Sequence, residues 1–419
     1  MNTQTNPSFF LILFLSFFFI ELLLNFFLDF LNQKSILAHP SLPSFFKDKM
    51  SIDVYKKTQE YTSTKLSFNK WNLLFSSFIT LIVLFSGLLP WFEDLLTSFH
   101  LNPILHGSLF LVTLLLFVSL LNIPLGVYNT FVIEGRFGFN KMTFKLYIQD
   151  TLKSALLGFL IGVPFLAVFL WFLNFTGNNW WGWAFLFMTS FQLLMLVLYP
   201  TFIAPLFNKF KPLDEGVLKE ELLTLAKKTD FTTSGLFVMD GSKRSSHSNA
   251  YFTGFGKMRR IVLFDTLIEQ MSLDELKSIL CHEIGHYKRG HIYKMLFFSL
   301  AFQGVGLFIL SLAIKWQPLY TAFGFEKNPE SLKHVGLFLF MTTFSTFTFF
   351  LGPLMNYRSR KHEFEADAFA IENTESPKHM ETALLKLAEK NLSNLTPHPW
   401  YSAFHYSHPS IYERIKAFK

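Results

Sequence analysis

The chain has 419 residues, of which 51% are hydrophobic, 18% aromatic and 16% charged; 55 are phenylalanine and the mean hydropathy is +0.32. That balance excludes an ordinary soluble domain, which carries far more charge, and points to a multi-span α-helical membrane protein. Cys281 is the single cysteine, so an intramolecular disulfide is excluded, and the net charge of +7 is accounted for by loops facing anionic lipid, without nucleic acid as a partner.

Seven uncharged apolar runs are long enough to cross a hydrocarbon core of about 30 Å. They fall near 9–31, 71–90, 104–128, 154–174, 182–204, 293–315 and 334–356. The first has neither a basic n-region nor a small-residue cleavage site and is expected to be retained as a span. It carries a polar stripe, Glu21, Asn25, Asp29 and Asn32, which either lines a wet cavity or meets polar groups of a neighbouring helix.

The loops set the topology. Residues 32–70 hold seven lysines, and 129–153 hold Arg136, Lys141, Lys145 and Lys153, whereas 91–103 and 175–181 hold no lysine or arginine. Lysine and arginine accumulate on the cytosolic side, so the N-terminus is expected outside or in a lumen, with segment 205–292 and the tail from 357 in the cytosol. That membrane is the endoplasmic reticulum in a eukaryote or the inner membrane in a bacterium. The chain is expected to divide into a membrane region, 1–207, and a region 208–419 that holds the last two spans.

Between spans five and six the patterning becomes that of a small α+β module. DEGVLKEELLTLAKK (214–228) reads as an amphipathic helix, and GLFVMD (235–240), SHSNAYFTGF (246–255) and RRIVLF (259–264) as short strands. The next helix is expected over 272–289. Ser272 and Glu275 form a capping box, Leu276, Ile279, Leu280 and Ile284 have helical spacing, and Gly290 is the stop. Within it, CHEIGHYKRGH sets His282 and His286 one turn apart, so both imidazoles can reach one Zn²⁺, while Glu283, about 100° around the helix, can hold a metal-bound water as general base. The bland alternative is a polar helix face with two solvated histidines.

A catalytic zinc needs a third protein ligand and an open fourth position. After the last span, KHEFEADAFA (361–370) spaces Glu363 and Asp367 at i, i+4, so that one can bind metal and the other orient a ligand histidine; a solvated carboxylate face explains the spacing equally well. Glu365 and His362 are expected to point elsewhere. Asn249, in a strand that could accept a peptide by edge addition, is read either as a contact to substrate backbone or as an asparagine paired within its own sheet.

Taken together, CHEIGHYKRGH, RKHEFEADAFA and the tail HYSHPS resemble the type I CAAX prenyl proteases, a family of integral-membrane zinc metalloproteases. The likeness extends to IEGRFGFNKMT (133–143), YPTFIAPLFNKFKPL (199–213) and DGSKRSSHSNAYFTGF (240–255). It implies seven membrane helices enclosing a water-filled chamber, with one Zn²⁺ per chain at its cytosolic end. By the same matching, His282, His286 and Glu363 are ligands, Glu283 activates water, Asp367 orients a histidine, Asn249 positions substrate and His408 stabilises the oxyanion; His405 does not occupy the matching position. The implied activity removes the last three residues of a prenylated CAAX C-terminus, and the implied partners are such C-termini and membrane lipid. Two other readings stay open: a membrane-protein quality-control metalloprotease without prenyl dependence, and a seven-span receptor or transporter with an incidental histidine cluster. The oligomeric state is not legible.

Overall fold

The computed structural model describes residues 7–254 and 259–418. Phe255, the last residue of the second expected strand, lies outside them. Among the described residues, seven helices are long and apolar enough to span a membrane: Ser8–Ala38, Ile52–Phe85, Pro103–Phe137, Phe144–Phe175, Gly177–Leu206, His291–Ala313 and Lys333–Asn373. Several helices run beyond the apolar stretches expected from the sequence, spans two and seven the furthest. Span two begins at Ile52, about 19 residues before its apolar stretch, because Ser51 caps a charged amphipathic turn and nothing interrupts the helix before the apolar run starts. It ends at Phe85, since Gly87 has φ = 80°, so 86–90 belong to a turn and to a separate helix, Leu88–Thr97. The seventh element continues past its apolar run to Asn373, tightening to a 3-10 turn at Phe349–Leu351, and its last helix, Gly352–Asn373, carries RKHEFEADAFA.

Packing within the bundle is concentrated at its two ends. One cluster gathers Phe14, Leu84, Leu89, Phe110, Leu170, Trp180, Leu310, Tyr320 and Leu339, all at the end remote from the helix Leu273–Lys288. Tyr320, fully buried, donates its hydroxyl to Ile314 O at 2.8 Å and fixes the turn there. Among the described residues, no hydrophobic side chain is buried between Phe18 and Leu28, Leu66 and Val83, Leu114 and Ile133, Phe139 and Phe169, Ala184 and Ala204, Ile284 and Leu307, or Phe340 and Ala366. A solid bundle would bury one face of each helix; here the middle sections bury no hydrophobic side chain and are at most partly covered, the packing of a bundle hollow at mid-depth.

The other end is closed by the α+β module. Its sheet has the order β1–β2–β4–β3, formed by Phe210–Pro212, Leu236–Met239, Arg260–Phe264 and Ala250–Thr253. The β2–β4 pair is parallel and the outer pairs antiparallel. β1 has no counterpart in the sequence reading, because three residues ending in proline give no alternation to detect. Ile261, Val262 and Leu263 of central β4 are buried, as a strand covered on both faces requires. The helix Val217–Lys228 and the helix Leu273–Lys288 pack on this sheet through Leu222, Leu225, Leu276 and Leu280. A clamp ties the module to the bundle: Arg244 meets Asp150 with Nε at 2.8 Å and Nη2 at 3.1 Å, and Asn208 Oδ1 with Nη1 at 2.9 Å.

The stripe of span one ends in protein contacts. Asn32 is buried, and its Oδ1 accepts from His398 N at 3.1 Å and Asn394 Nδ2 at 3.4 Å. Asn25 donates to Glu21 O within its own helix.

Candidate active site

The helix Leu273–Lys288 starts at the expected capping box. Ser272 Oγ accepts from Glu275 N, and the Glu275 carboxylate accepts from Ser272 N at 2.7 Å. It crosses the extension Gly352–Asn373 at Gly285, where an added Cβ would lie 3.0 Å from Ala366 O and 3.1 Å from Ala366 Cα. Only glycine lets the two backbones approach this closely, and that approach brings the histidines to the carboxylates.

At the crossing, His282 Nε2 lies 3.2 Å from His286 Nε2, His286 Nε2 lies 3.3 Å from Glu363 Oε1, and His282 Nε2 lies 3.5 Å from Glu363 Oε2. A tetrahedral ion with bonds of about 2.0–2.1 Å separates its ligand atoms by about 3.3–3.4 Å, so the three donors are spaced to hold one. Glu363 Oε2 is buried without a hydrogen-bond partner, as expected of an atom aimed at a cation. Behind the triangle, His282 Nδ1 meets Asp367 Oδ1 at 2.8 Å, which fixes the Nδ1–H tautomer and turns Nε2 toward Glu363. Asp367 is itself gripped by Arg414, whose Nε reaches Oδ2 at 2.8 Å and whose Nη2 reaches Oδ1 at 2.5 Å.

A cavity of about 590 Å³ opens on this triangle and is lined by Asn249, Glu283 and His408 as well. Glu283 is half-buried, and removal from water raises its carboxyl above the ordinary carboxylate range. His408 Nε2 is 3.4 Å from Glu363 Oε1, with the imidazole 65% exposed toward the cavity. Asn249 precedes edge strand β3; its backbone O accepts from Phe264 N at 3.1 Å, and its Oδ1 from Ala250 N at 2.9 Å. Asn249, His282, Glu283, His286, Glu363 and His408 thus line the cavity, and Asp367 lies directly behind it. His405 packs instead on the Tyr401 ring at 4.5 Å. Cys281 is buried beneath the site, and burial pushes its thiol up to about 12, so it stays protonated and inert.

Two participants escaped the sequence reading. Arg414 sits on the helix Ile411–Lys416, 47 positions from Asp367, and with Glu413 and Lys416 beside it nothing local in the sequence marked it as the buried one. His291 lies just past Gly290, whose left-handed turn (φ = 68°) swings it back so that Nδ1 meets His286 Nδ1 at 3.0 Å and Nε2 meets Glu365 Oε2 at 2.9 Å. Glu365 therefore points away from the triangle yet is linked to it through His291. His362, expected to point elsewhere, stacks on His291 with ring centroids 4.1 Å apart.

Residues 32–209 match the family described as CAAX prenyl protease N-terminal, five membrane helices, and residues 212–419 match Peptidase family M48. A CAAX prenyl protease 1 homolog from Oryza sativa subsp. japonica is 39% identical over 92% of this chain and 92% of its own length. The chain belongs to the CAAX prenyl protease 1 family. Other members similar to it are CAAX prenyl protease 1 of Saccharomyces cerevisiae, 35% identical over 92% of this chain and 90% of that one, and the Homo sapiens homolog, 34% identical over 88% and 87%. Among solved structures, S. mikatae Ste24p superposes with a TM-score of 0.92 at 32% identity, covering 98% of this chain and 99% of that one. Membership makes the chain a membrane metalloprotease, and the receptor or transporter reading falls away.

Proposed function

We propose that the chain is a zinc endopeptidase that removes the last three residues of C-terminal CAAX sequences bearing a prenylated cysteine. The observation that carries this reading is the donor triangle of His282, His286 and Glu363, with Glu283 and His408 facing one cavity beside a hollow bundle that can admit a lipid-bearing peptide. Relatives named CAAX prenyl protease 1 support the substrate class.

In this reading His282, His286 and Glu363 hold Zn²⁺, and Asp367, clamped by Arg414, keeps His282 oriented. Bound zinc would polarise the scissile carbonyl and lower the pKa of the attacking water. Glu283 takes the proton of that water and delivers it to the departing amine as the C–N bond breaks. His408 donates from Nε2 to the oxygen on which charge develops. Asn249 holds substrate backbone, with the peptide lying along β3 as an added strand.

The division into a membrane region, 1–207, and a peptidase region, 208–419, goes with this proposal. So does a topology with the N-terminus outside and the site in the cytosol, supported by the lysines of 32–70. Single cysteines placed at 100 and at 390 in a Cys281→Ser background test it: an impermeant reagent added outside labels only the former. The substrate assay compares a farnesylated CAAX peptide with its unprenylated twin. Faster cleavage of the farnesylated peptide is expected, and equal rates would remove the prenyl assignment while leaving the peptidase.

A further inference from the structure

At the other end of the bundle, Glu93 on the helix Leu88–Thr97, His106 in the first turns of span three and His334 at the start of span seven converge inside the apolar cluster. Nε2 of His106 and Nε2 of His334 each lie 2.9 Å from the same oxygen, Glu93 Oε2. Glu93 is 3% exposed. The two lysines of the nearby loop are engaged by other carboxylates: Lys327 by Asp94 at 2.7 Å and Lys333 by Glu330 at 2.9 Å. An ionised carboxylate buried among phenylalanines and leucines is stabilised by a positive charge beside it, and among the described residues the two imidazoles stand within reach to bring one, as protons or as ligands. Gly107 allows the convergence, because a Cβ there would sit 2.9 Å from His334 Cβ.

We propose that Glu93, His106 and His334 bind a second divalent cation of the zinc class at this end of the bundle. Two imidazole nitrogens and one carboxylate oxygen suit such an ion and leave a fourth position for water. The 2.9 Å separations open by a few tenths of an ångström to reach the roughly 3.3 Å edge of a tetrahedral site, a change that small ring rotations supply. The cation would staple three elements together. One of them, span seven, carries Glu363 about 40 Å further along the same element, so the staple also sets the height at which the catalytic carboxylate emerges.

The test uses the full chain in lipid nanodiscs with His282→Ala and His286→Ala, dialysed against Zn²⁺ or Co²⁺. One equivalent of metal per chain is expected, with visible Co²⁺ absorption, and both are lost when His106→Gln and His334→Gln are added. X-ray absorption on the parent double variant is expected to show two imidazoles in the zinc shell, a readout that does not depend on folding of the further variants. Absence of bound metal in the parent variant overturns the proposal and leaves a hydrogen-bonded clamp. A shell of oxygens alone, or metal retained after the His106 and His334 substitutions, overturns it as well.

Discussion

At the scale of single residues, the site separates groups that would hold metal from the group that would move protons. Glu283→Gln keeps the shape and removes the base, so turnover is expected to fall by about 10²–10⁴-fold while bound metal, measured by elemental analysis, stays at the wild-type level. Wild-type turnover in that variant would mean another base acts. Asp367→Ala is expected to do the reverse, weakening metal affinity about 10–100-fold because His282 loses the partner that fixes its tautomer. Competition with a graded chelator reads this directly. Arg414→Met should approach the same phenotype, since it frees the Asp367 carboxylate from its only guanidinium partner among the described residues.

At the scale of elements, two local devices decide whether the ligands meet. Gly285→Ala forces a methyl into Ala366 of the crossing helix; overpacking of this kind costs about 1–3 kcal/mol, seen as a lower Tm and reduced metal content. The N-terminal cap gives a pH dependence. Burial alone would raise the Glu275 carboxyl, but Lys386 Nζ at 2.7 Å and the Ser272 donors outweigh it and lower its pKa. A carboxyl depressed in the folded state contributes stability above its unfolded value of about 4.3, and that contribution disappears as pH falls through the folded value. Lys386→Met should therefore reduce Tm at pH 7, with the loss shrinking as the pH is lowered through the folded value; a loss that does not change with pH would show that packing, not charge, is responsible.

On the scale of the whole molecule, the hollow bundle and the module that caps it are joined by a set of polar links, in which the Arg244 clamp makes three hydrogen bonds. Arg244→Ala leaves Asp150 without its guanidinium and Asn208 Oδ1 without its donor, at a cost of about 1–3 kcal/mol, and loosens the module on its spans. Limited proteolysis at 205–216 should accelerate in that variant while the metal content holds, because the clamp lies outside the triangle.

The sequence by itself determined whatever is local or periodic. Seven apolar runs had to become membrane helices because only helices and closed barrels satisfy the backbone in hydrocarbon and barrel strands alternate, and a capped helix placed His282 and His286 on one face by helical geometry alone. Glu363 and Asp367 were legible as a pair, but their spacing suited a solvated face equally well until a resemblance and then the helix crossing gave them a partner. What only the tertiary structure decided is non-local. The approach at Gly285, the grip of Arg414 on Asp367, the return of His291 across Gly290 and the meeting of Glu93 with His106 and His334 join positions that no period connects. The hollow interior belongs with them, since an apolar side chain facing lipid and one facing a void read alike in a sequence, and only the packing of the ends tells them apart.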